Sequence, residues 1–384
     1  MEGEHVEGGD CCGVGAGVGG GGGSGGGGAP PAPAPSPAPG ARDPPDDPAH
    51  RVVTPADVVP LPADLEELVH VGTQGRKVTL LDGVSHLTRL RVLCLRSNLL
   101  RSMAGLSVVA GGLRELELYD NQLRELEELG GATELLELDV SYNKLEGLGG
   151  LEGNCPQLRT LFAASNRLCE VGGALRACAA SLVKLDLGAN AIKSTAGLEG
   201  LVNLEELWLG KNKLRELAGL GALQRLRVLD VQSNRLTRIC GLGGRGAGGS
   251  EAEGGGGGGG GGGGSGGEPC FPALEELYLG HQGIAAMEGL AALPSLRVLD
   301  VTGNPISRLE GLQCCAQLTD LWAGYTRVAA FPDALEGVAA LPALRVLYLE
   351  HTPLAKDWEY RLRIQKTLPL LQQLDATVIA GRGV

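Results

Sequence analysis

The pattern LxxLxLxxN recurs from Leu90 almost to the end of the chain, and most steps between successive copies are 22 to 24 residues. A unit of this length cannot bury its apolar side alone, so neighbouring units must stack on one another. Eleven copies are present, and their last position is Asn98, Asn121, Asn143, Asn166, Asn190, Asn212, Asn234, Gln282, Asn304, Thr326 and Thr352. The repeat therefore restricts the chain to an array in which each unit contacts its neighbours.

This spacing is that of the leucine-rich repeat. Each unit predicts a short parallel strand with inward leucines, then a turn, then a second apolar set such as Leu214, Leu217 and Leu220. Short repeats leave room for 3-10 or irregular turns on the convex side rather than long helices. We therefore predict an α/β fold: a leucine-rich-repeat solenoid of 22-residue repeats with a parallel concave sheet, convex 3-10 or irregular turns and a C-terminal helical cap.

The asparagine that ends each pattern is predicted to turn inwards after the strand. There its amide can satisfy buried backbone groups of adjacent turns. Gln282, Thr326 and Thr352 are expected to make this ladder less regular towards the C-terminus.

Composition divides the chain into three parts. Residues 1–62 form a Gly/Pro-rich segment that is predicted to be disordered, residues 63–350 the solenoid and residues 351–384 its cap. A second glycine-rich stretch, 241–271, makes one step 48 residues long and is predicted to be a disordered surface insertion. A phosphate-binding loop would need a preceding strand, a following helix and a lysine at fixed spacing, which this stretch lacks.

Degenerate units are expected at both ends of the array. Leu65 to Leu90 is an irregular first unit that we expect to cap the N-terminal end. Trp358 to Val378 has helical spacing at Tyr360, Ile364 and Leu368 and is expected to cover the last open surface of the core.

Charge and composition exclude several functional classes. The 384-residue chain has a net charge of −12, which disfavours direct nucleic-acid binding. No apolar run approaches the ~18 residues of a membrane span, and no secretory signal is evident, so we expect a soluble intracellular protein. The ten cysteines lack zinc-ligand spacing and are expected to be free thiols, with no metal or cofactor.

One position of the repeat combines acidic and aromatic residues. The residue between the two inward leucines faces the concave surface, and stacking places these residues in a column about 5 Å apart. Five of the eleven are aromatic in a chain that is 3% aromatic, and five more are acidic. The column is Cys94, Glu117, Asp139, Phe162, Asp186, Trp208, Asp230, Tyr278, Asp300, Trp322 and Tyr348.

This column is typical of a protein interface. Acidic and aromatic residues alternate almost strictly from Asp139 to Trp208, and again from Asp300 to Tyr348. Tyrosine and tryptophan are enriched at binding hot spots, and charged neighbours select the partner. Strand propensity alone would explain the aromatic residues, but not their alternation with carboxylates.

Catalysis is disfavoured by the same pattern. Asp139 and Asp186 could form a pair of catalytic carboxylates, but an open concave sheet gives no deep pocket to shift their pKa values. His281 and His351 follow strands without a serine or cysteine at a catalytic spacing. We therefore predict that the protein is not an enzyme.

Several stretches carry a closer resemblance. They are LCLRSNLL, LRELELYDNQL, LGKNKL, VQSNRLTRI, LEELYLGHQGI and LYLEHTPLAKDWEYRLRIQKTLPLLQQLDATV. From about Leu90 to Val378, apart from the glycine insertion, the chain resembles the leucine-rich-repeat regulatory subunit 7 family of protein phosphatase 1.

The resemblance implies a non-catalytic subunit that binds the phosphatase catalytic subunit through its concave face and controls its activity, maturation or hand-over. Asp186 and Asp320 stand where the family usually carries glutamate, and Trp208 where it usually carries phenylalanine. Because a shorter acid loses reach, the resemblance supports those two acidic contacts least. The implied contacts are Asp139, Phe162, Asp186, Trp208, Asp300, Asp320, Trp322 and Tyr348, with Glu117, Asp230 and Tyr278 as further members of the column.

The predicted partner is thus the protein phosphatase 1 catalytic subunit, and a further inhibitory subunit is a second candidate partner. We expect a monomer in the nucleus and cytoplasm, with neither nucleic acid nor membrane as a partner. The alternative is a leucine-rich-repeat scaffold of ciliary or dynein assembly or of a spliceosomal particle, since these use similar repeats.

Overall fold

The computed structural model describes five ranges of the chain. The predicted disordered segment up to residue 51 and nearly all of the glycine-rich insertion lie outside them. Phe271, the last residue of the predicted insertion, is fully buried in the core. The ranges are 52–74, 76–239, 271–290, 293–331 and 335–379.

Short strands stack in chain order to form one sheet. The described residues contain fourteen strands, and β1 to β13 are mutually parallel, whereas β14 pairs with β13 in the antiparallel sense. This arrangement confirms the predicted parallel solenoid. The strands are β1 Glu67–Val69, β2 Val92–Cys94, β3 Glu115–Glu117, β4 Glu137–Asp139, β5 Thr160–Phe162, β6 Lys184–Asp186, β7 Glu206–Trp208, β8 Val228–Asp230, β9 Glu276–Tyr278, β10 Val298–Asp300, β11 Asp320–Trp322, β12 Val346–Tyr348, β13 Gln373–Leu374 and β14 Thr377–Val378.

Leucine columns form the core beneath this sheet. In β7 the central Leu207 and the following Leu209 are fully buried, while the side chain of Trp208 between them is only half-buried. Burial of each leucine side chain contributes about 1.5–3 kcal/mol. Strand alternation therefore directs the leucines inwards and Trp208 to the opposite face of the sheet.

Short helical turns carry the chain back from one strand to the next. Their brevity agrees with the predicted convex side, because a 22-residue unit has no room for a long helix. The helices are α1 Ser107–Ala110, α2 Glu336–Ala339 and α3 Tyr360–Thr367, and the 3-10 helices of the described residues are Pro55–Asp57, Gly72–Gln74, Gly149–Leu151, Leu220–Ala222 and Leu354–Lys356.

The described structure includes residues 52–62, which the sequence analysis placed in the segment predicted to be disordered. Val53 is buried, and its carbonyl accepts the backbone N–H of Thr79 at 2.8 Å. The Asp57 carboxylate accepts both the N–H and the hydroxyl of Thr54 at 2.9 and 3.0 Å, which closes the 3-10 helix Pro55–Asp57. These contacts join residues 52–62 to the first unit, although their composition resembles that of the preceding segment.

The predicted asparagine ladder joins each unit to the one before it. At Asn212, the side-chain oxygen accepts the N–H of Ile192 at 3.0 Å, and the side-chain amide donates to the carbonyl of Leu187 at 2.9 Å. The same amide also donates to Leu209 and Gly210 in its own unit. All eight asparagines of the pattern make the two bonds to the preceding unit.

The exceptions differ from one another. Gln282 keeps the bridge, because its side chain accepts the N–H of Leu236 at 3.0 Å and donates to the carbonyl of Val231. The hydroxyls of Thr326 and Thr352 instead donate within their own units, each at 2.8 Å. The ladder is therefore irregular at the two threonines, as predicted, and intact at the glutamine.

A buried carboxylate joins the C-terminal cap to the last repeat. Asp375 accepts the N–H of Leu349 at 2.9 Å, a bond that a backbone carbonyl makes in other units, as that of Trp208 does with the N–H of Leu187. The hydroxyl of Tyr360 at the start of α3 donates to the same carboxylate at 3.2 Å. Tyr360, Ile364 and Leu368 are all buried, so α3 covers the end of the core.

Each ladder residue is preceded by a left-handed residue. Apart from Gly303, with φ of 70°, these residues are not glycine and have φ between 52° and 61°. The left-handed conformation costs roughly 1–2 kcal/mol per residue. The ten are Ser97, Asp120, Tyr142, Ser165, Ala189, Lys211, Ser233, His281, Tyr325 and His351.

We expect Asn212→Ala to lower the free energy of unfolding by about 2–4 kcal/mol, because the buried N–H of Ile192 and C=O of Leu187 lose their partner. Urea unfolding followed by circular dichroism measures the change. The matched control is Thr326→Val, which removes a bond within one unit and should cost about 1 kcal/mol. Equal losses would contradict a stabilising role for the bridge between units.

Candidate protein-binding surface

The predicted column lies in register on one face of the sheet, which we call the concave face. Its eleven members pair Cα to Cα across neighbouring strands, from Cys94 opposite Glu117 to Trp322 opposite Tyr348. Cys94 is buried and the other ten are half-buried. Asp320 is also on this face, because it begins the strand that Trp322 ends. The structure thus brings all the predicted residues onto one surface.

Four aspartates of the column also have a local role that the sequence analysis missed. Each accepts the backbone N–H of the residue two positions later, in an arrangement that suits the short aspartate side chain better than glutamate. One carboxylate oxygen of each aspartate is therefore used locally, and in Asp230 the second oxygen also accepts the side-chain amide of Gln232 at 3.0 Å. The four bonds, each 2.8 Å, join Ser141 to Asp139, Gly188 to Asp186, Gln232 to Asp230 and Thr302 to Asp300.

Burial and mutual repulsion act on three of these carboxylates. Burial is the largest cause that raises the pKa values of Asp139, Asp186 and Asp230 above the ordinary range. Neighbouring carboxylates raise these pKa values further, Asp186 being opposed by both others, whereas the bonds from backbone N–H groups lower them. The column therefore carries negative charge that a cation would stabilise.

A groove of about 510 Å³ lies over the first half of the column. Phe162 and Trp208 line it together with Asp139, Asp186 and Asp230. A Cβ at position 210 would lie 3.3 Å from the carboxylate oxygens of Asp230. Gly210 therefore leaves space between these side chains. The groove thus offers two aromatic rings between three carboxylates.

The next row of side chains extends this surface. The rings of Tyr119 and Tyr142 lie 4.9 Å apart, and the guanidinium of Arg96 lies 4.6 Å from the centre of the Tyr119 ring. Arg96 also forms an ion pair with Glu117 at 2.6 Å, so the charge of Glu117 is already balanced. Arg96 and Tyr119 could have been identified from the sequence, because each lies two residues after a member of the column and therefore on the same face.

An aromatic cluster occupies the second half of the column. The ring of Trp322 lies 6.2 Å from that of Tyr278 and 6.3 Å from that of Tyr348. These distances are typical of favourable aromatic pairs. Within the described residues, the indole N–H of Trp322 is buried without an acceptor, and such a group costs about 1–3 kcal/mol.

Hydrogen bonds hold the polar ends of this cluster. The Tyr278 hydroxyl donates to Glu276 at 2.8 Å, and Gln373 donates to the Tyr348 hydroxyl at 2.6 Å. Asp320 accepts the hydroxyl of the adjacent Thr319 at 2.6 Å. Glu276 and Gln373 were not among the predicted residues, although both occupy the strand position two residues before the column.

The cysteines and histidines give no catalytic arrangement in the described ranges. The six cysteines there are free, and burial raises the pKa values of Cys94, Cys178 and Cys315 to about 11 and that of Cys155 to about 12. Such thiols are poor nucleophiles near neutral pH. No cluster of three or more metal-ligating side chains occurs in this part of the chain.

Comparisons of sequence identify two relatives. The chain is 32% identical over 156 residues to the protein phosphatase 1 regulatory inhibitor subunit PPP1R7 homolog of Arabidopsis thaliana, covering 40% of this chain and 46% of that protein. It is 30% identical over 108 residues to leucine-rich repeat-containing protein 56 of Rattus norvegicus, covering 27% and 17%. The chain thus spans less than half of either relative, and no protein-family model matches it.

Comparisons of structure identify the fold. The internalin inlF of Listeria monocytogenes superposes with a TM-score of 0.59 at 20% identity, over 82% of this chain and 88% of that chain. The Leptospira interrogans protein LIC12759 gives a TM-score of 0.54 at 21% identity, over 82% and 84%. The chain is a leucine-rich-repeat protein that resembles PPP1R7 in sequence.

We expect Asp186→Asn to raise the free energy of unfolding by about 0.5–1 kcal/mol at neutral pH, the size of one repulsion between partly buried carboxylates. Asparagine can still accept the N–H of Gly188. Because the pKa of Asp186 is raised on folding, ionisation disfavours the folded state as pH rises through that pKa. The gain should therefore vanish below the ordinary pKa of an aspartate. Urea unfolding from acid to neutral pH tests this, with the exposed Glu216→Gln as control; a gain equal at both pH values would contradict the assignment.

Proposed function

We propose that this protein binds the catalytic subunit of protein phosphatase 1 through its concave face and regulates it. The observation that carries the proposal is the column from Asp139 to Tyr348, in which half-buried aromatic and acidic side chains lie in register on one open surface. The resemblance to a phosphatase 1 regulatory inhibitor subunit supports the same partner. The proposed contacts are Asp139, Phe162, Asp186, Trp208, Asp300, Asp320, Trp322 and Tyr348, with Asp230 and Tyr278 between them.

The arrangement favours a partner surface that carries lysine or arginine. Burial raises the pKa values of Asp139, Asp186 and Asp230, and neighbouring carboxylates raise them further, so holding these three groups ionised has a free-energy cost. A lysine or arginine between them would offset that cost, and the rings of Phe162 and Trp208 would cover the apolar part of the same side chain. Glu117 contributes less, because Arg96 already neutralises it.

Regulation would then follow from binding of this protein to the phosphatase rather than from a reaction that this protein catalyses. The proteins that it resembles are a regulatory subunit and leucine-rich-repeat proteins, which supports the prediction that it is not an enzyme. Inhibition, maturation or hand-over of the phosphatase are the modes that we propose, in the nucleus and cytoplasm. No helix in the described ranges has the length and apolar character that crossing a membrane requires.

A scaffold function is the second candidate. The match to leucine-rich repeat-containing protein 56 supports only the shared repeat, and it covers a smaller share of the chain than the phosphatase-subunit match. The two candidates differ in the partner of the concave face, which the binding experiment below distinguishes.

We expect Trp208→Ala and Trp322→Ala each to weaken binding to the purified phosphatase catalytic subunit by about 2–4 kcal/mol, as loss of an aromatic hot spot does. Isothermal titration calorimetry measures the affinity. The matched control is Trp358→Ala, because this third tryptophan is 90% exposed on the C-terminal cap, away from the column. Unchanged affinity in both concave variants would refute the proposed surface, and no binding by the unaltered protein would favour the scaffold function.

We also expect binding to release protons and to weaken as pH falls from neutral. A cationic partner would lower the raised pKa values of Asp139, Asp186 and Asp230, so complex formation favours their ionised forms. Calorimetry in buffers of different ionisation enthalpy counts the protons. Asp186→Asn should reduce the number released; an unchanged number would show that this carboxylate does not meet a cation.

A further inference from the structure

A second column of charge follows the asparagine ladder, on the opposite side of the ladder from the concave column. It consists of the residues one and three positions after each asparagine from Asn143 to Asn234. The residue two positions after each asparagine is buried in the core. The residues immediately before and after it in the sequence therefore point away from the core. These ten positions hold six cations and one carboxylate, Glu146. We call the six the basic flank: Lys144, Arg167, Lys193, Lys213, Arg215 and Arg235.

Backbone hydrogen bonds fix the spacing of this flank. The N–H of Arg167 donates to the carbonyl of Leu145 in the preceding unit at 2.9 Å, and the N–H groups of Lys213 and Arg235 make equivalent bonds at 2.8 Å. Residues in equivalent positions are therefore about 4.8 Å apart from one unit to the next. From Lys144 to Arg235 this gives about 19 Å, the length of about six residues of extended peptide.

The cations of the flank make no ion pair, whereas several cations on the opposite rim of the sheet do. Among the described residues, no ion pair involves any of the six. Immediately before the strands, by contrast, Arg91 pairs with Glu134 at 2.9 Å and Arg227 with Glu275 at 3.1 Å. The chain thus pairs some cations of one rim with carboxylates and leaves the six cations of the flank without an ion pair, although its net charge is −12.

The flank is narrow and bounded by carboxylates on both sides. On one side, Asp186 and Asp230 lie four residues before Asn190 and Asn234. On the other side, Glu170 and Glu216 lie four residues after Asn166 and Asn212. A single extended acidic peptide can follow such a strip. A nucleic acid or an anionic membrane presents charge over a broader area and would meet the carboxylates on either side.

We propose that the basic flank binds an acidic peptide segment of a partner protein in an extended conformation. The segment meets lysine and arginine side chains at five successive units, and the guanidinium groups of Arg167, Arg215 and Arg235 donate bidentate hydrogen bonds to its carboxylates. The flank uses none of the concave aromatic residues. A protein bound in the concave face and an acidic segment on the flank therefore occupy the protein together.

The test uses the full chain and a fluorescent peptide of about eight aspartate and glutamate residues, long enough to span the flank. Fluorescence anisotropy at low ionic strength should show binding that weakens as salt is added. Lys213→Glu/Arg235→Glu should reduce affinity at least about tenfold, and Lys213→Gln/Arg235→Gln less, because only the former adds repulsion. Circular dichroism checks that each variant is folded.

The matched control is Arg176→Glu/Arg225→Glu, which makes the same change in net charge at two exposed arginines outside the flank. It should change the affinity for the peptide less than about threefold. Trp208→Ala should leave peptide binding unaltered, which separates this proposal from the proposed concave interface. Equal losses in the flank and control variants, no peptide binding by the unaltered protein, or tighter binding of single-stranded RNA or phosphatidylserine vesicles than of the peptide would overturn the proposal.

Discussion

The hydrogen bonds of the ladder asparagines are the constraint on which the rest of the structure depends. Each unit turns through a left-handed residue with φ of 52° to 70° immediately before its ladder residue, at a cost of roughly 1–2 kcal/mol where that residue is not glycine. The next side chain offsets that cost, as Asn212 does by bonding to Ile192 and Leu187 of the preceding unit. Turn geometry and stacking are therefore stabilised by the same side chain, and a unit is stable only beside its neighbour.

Because this ladder fixes the register, every position of the repeat becomes a continuous column on the surface. The position four residues before the asparagine becomes the concave column, where Phe162 and Trp208 lie between aspartates. The position one residue after it becomes part of the basic flank. A chain with a net charge of −12 thus carries two surfaces of opposite sign separated by only a few residues in each unit.

The regular part of the structure was predictable because each unit repeats it. Strand direction, the inward leucines and the face of Trp208 all follow from the period of the pattern. Features made by a single side chain were not predictable: the ion pair of Arg96 with Glu117, the bond from the N–H of Leu349 to the carboxylate of Asp375, and the packing of Val53. Each depends on a contact between distant residues that occurs once, so no repetition in the sequence reveals it.

The aspartates of the column link stability to partner choice. The backbone N–H of Gly188 fixes one oxygen of Asp186, so the carboxylate is oriented before any partner arrives. Burial and neighbouring charge make the ionised forms of Asp186 and Asp230 costly, and they raise the pKa values of both carboxylates. A partner with a lysine or arginine recovers this cost, whereas an acidic or purely apolar partner does not. The free energy that the isolated protein loses by holding these charges together therefore becomes selectivity for a cationic surface.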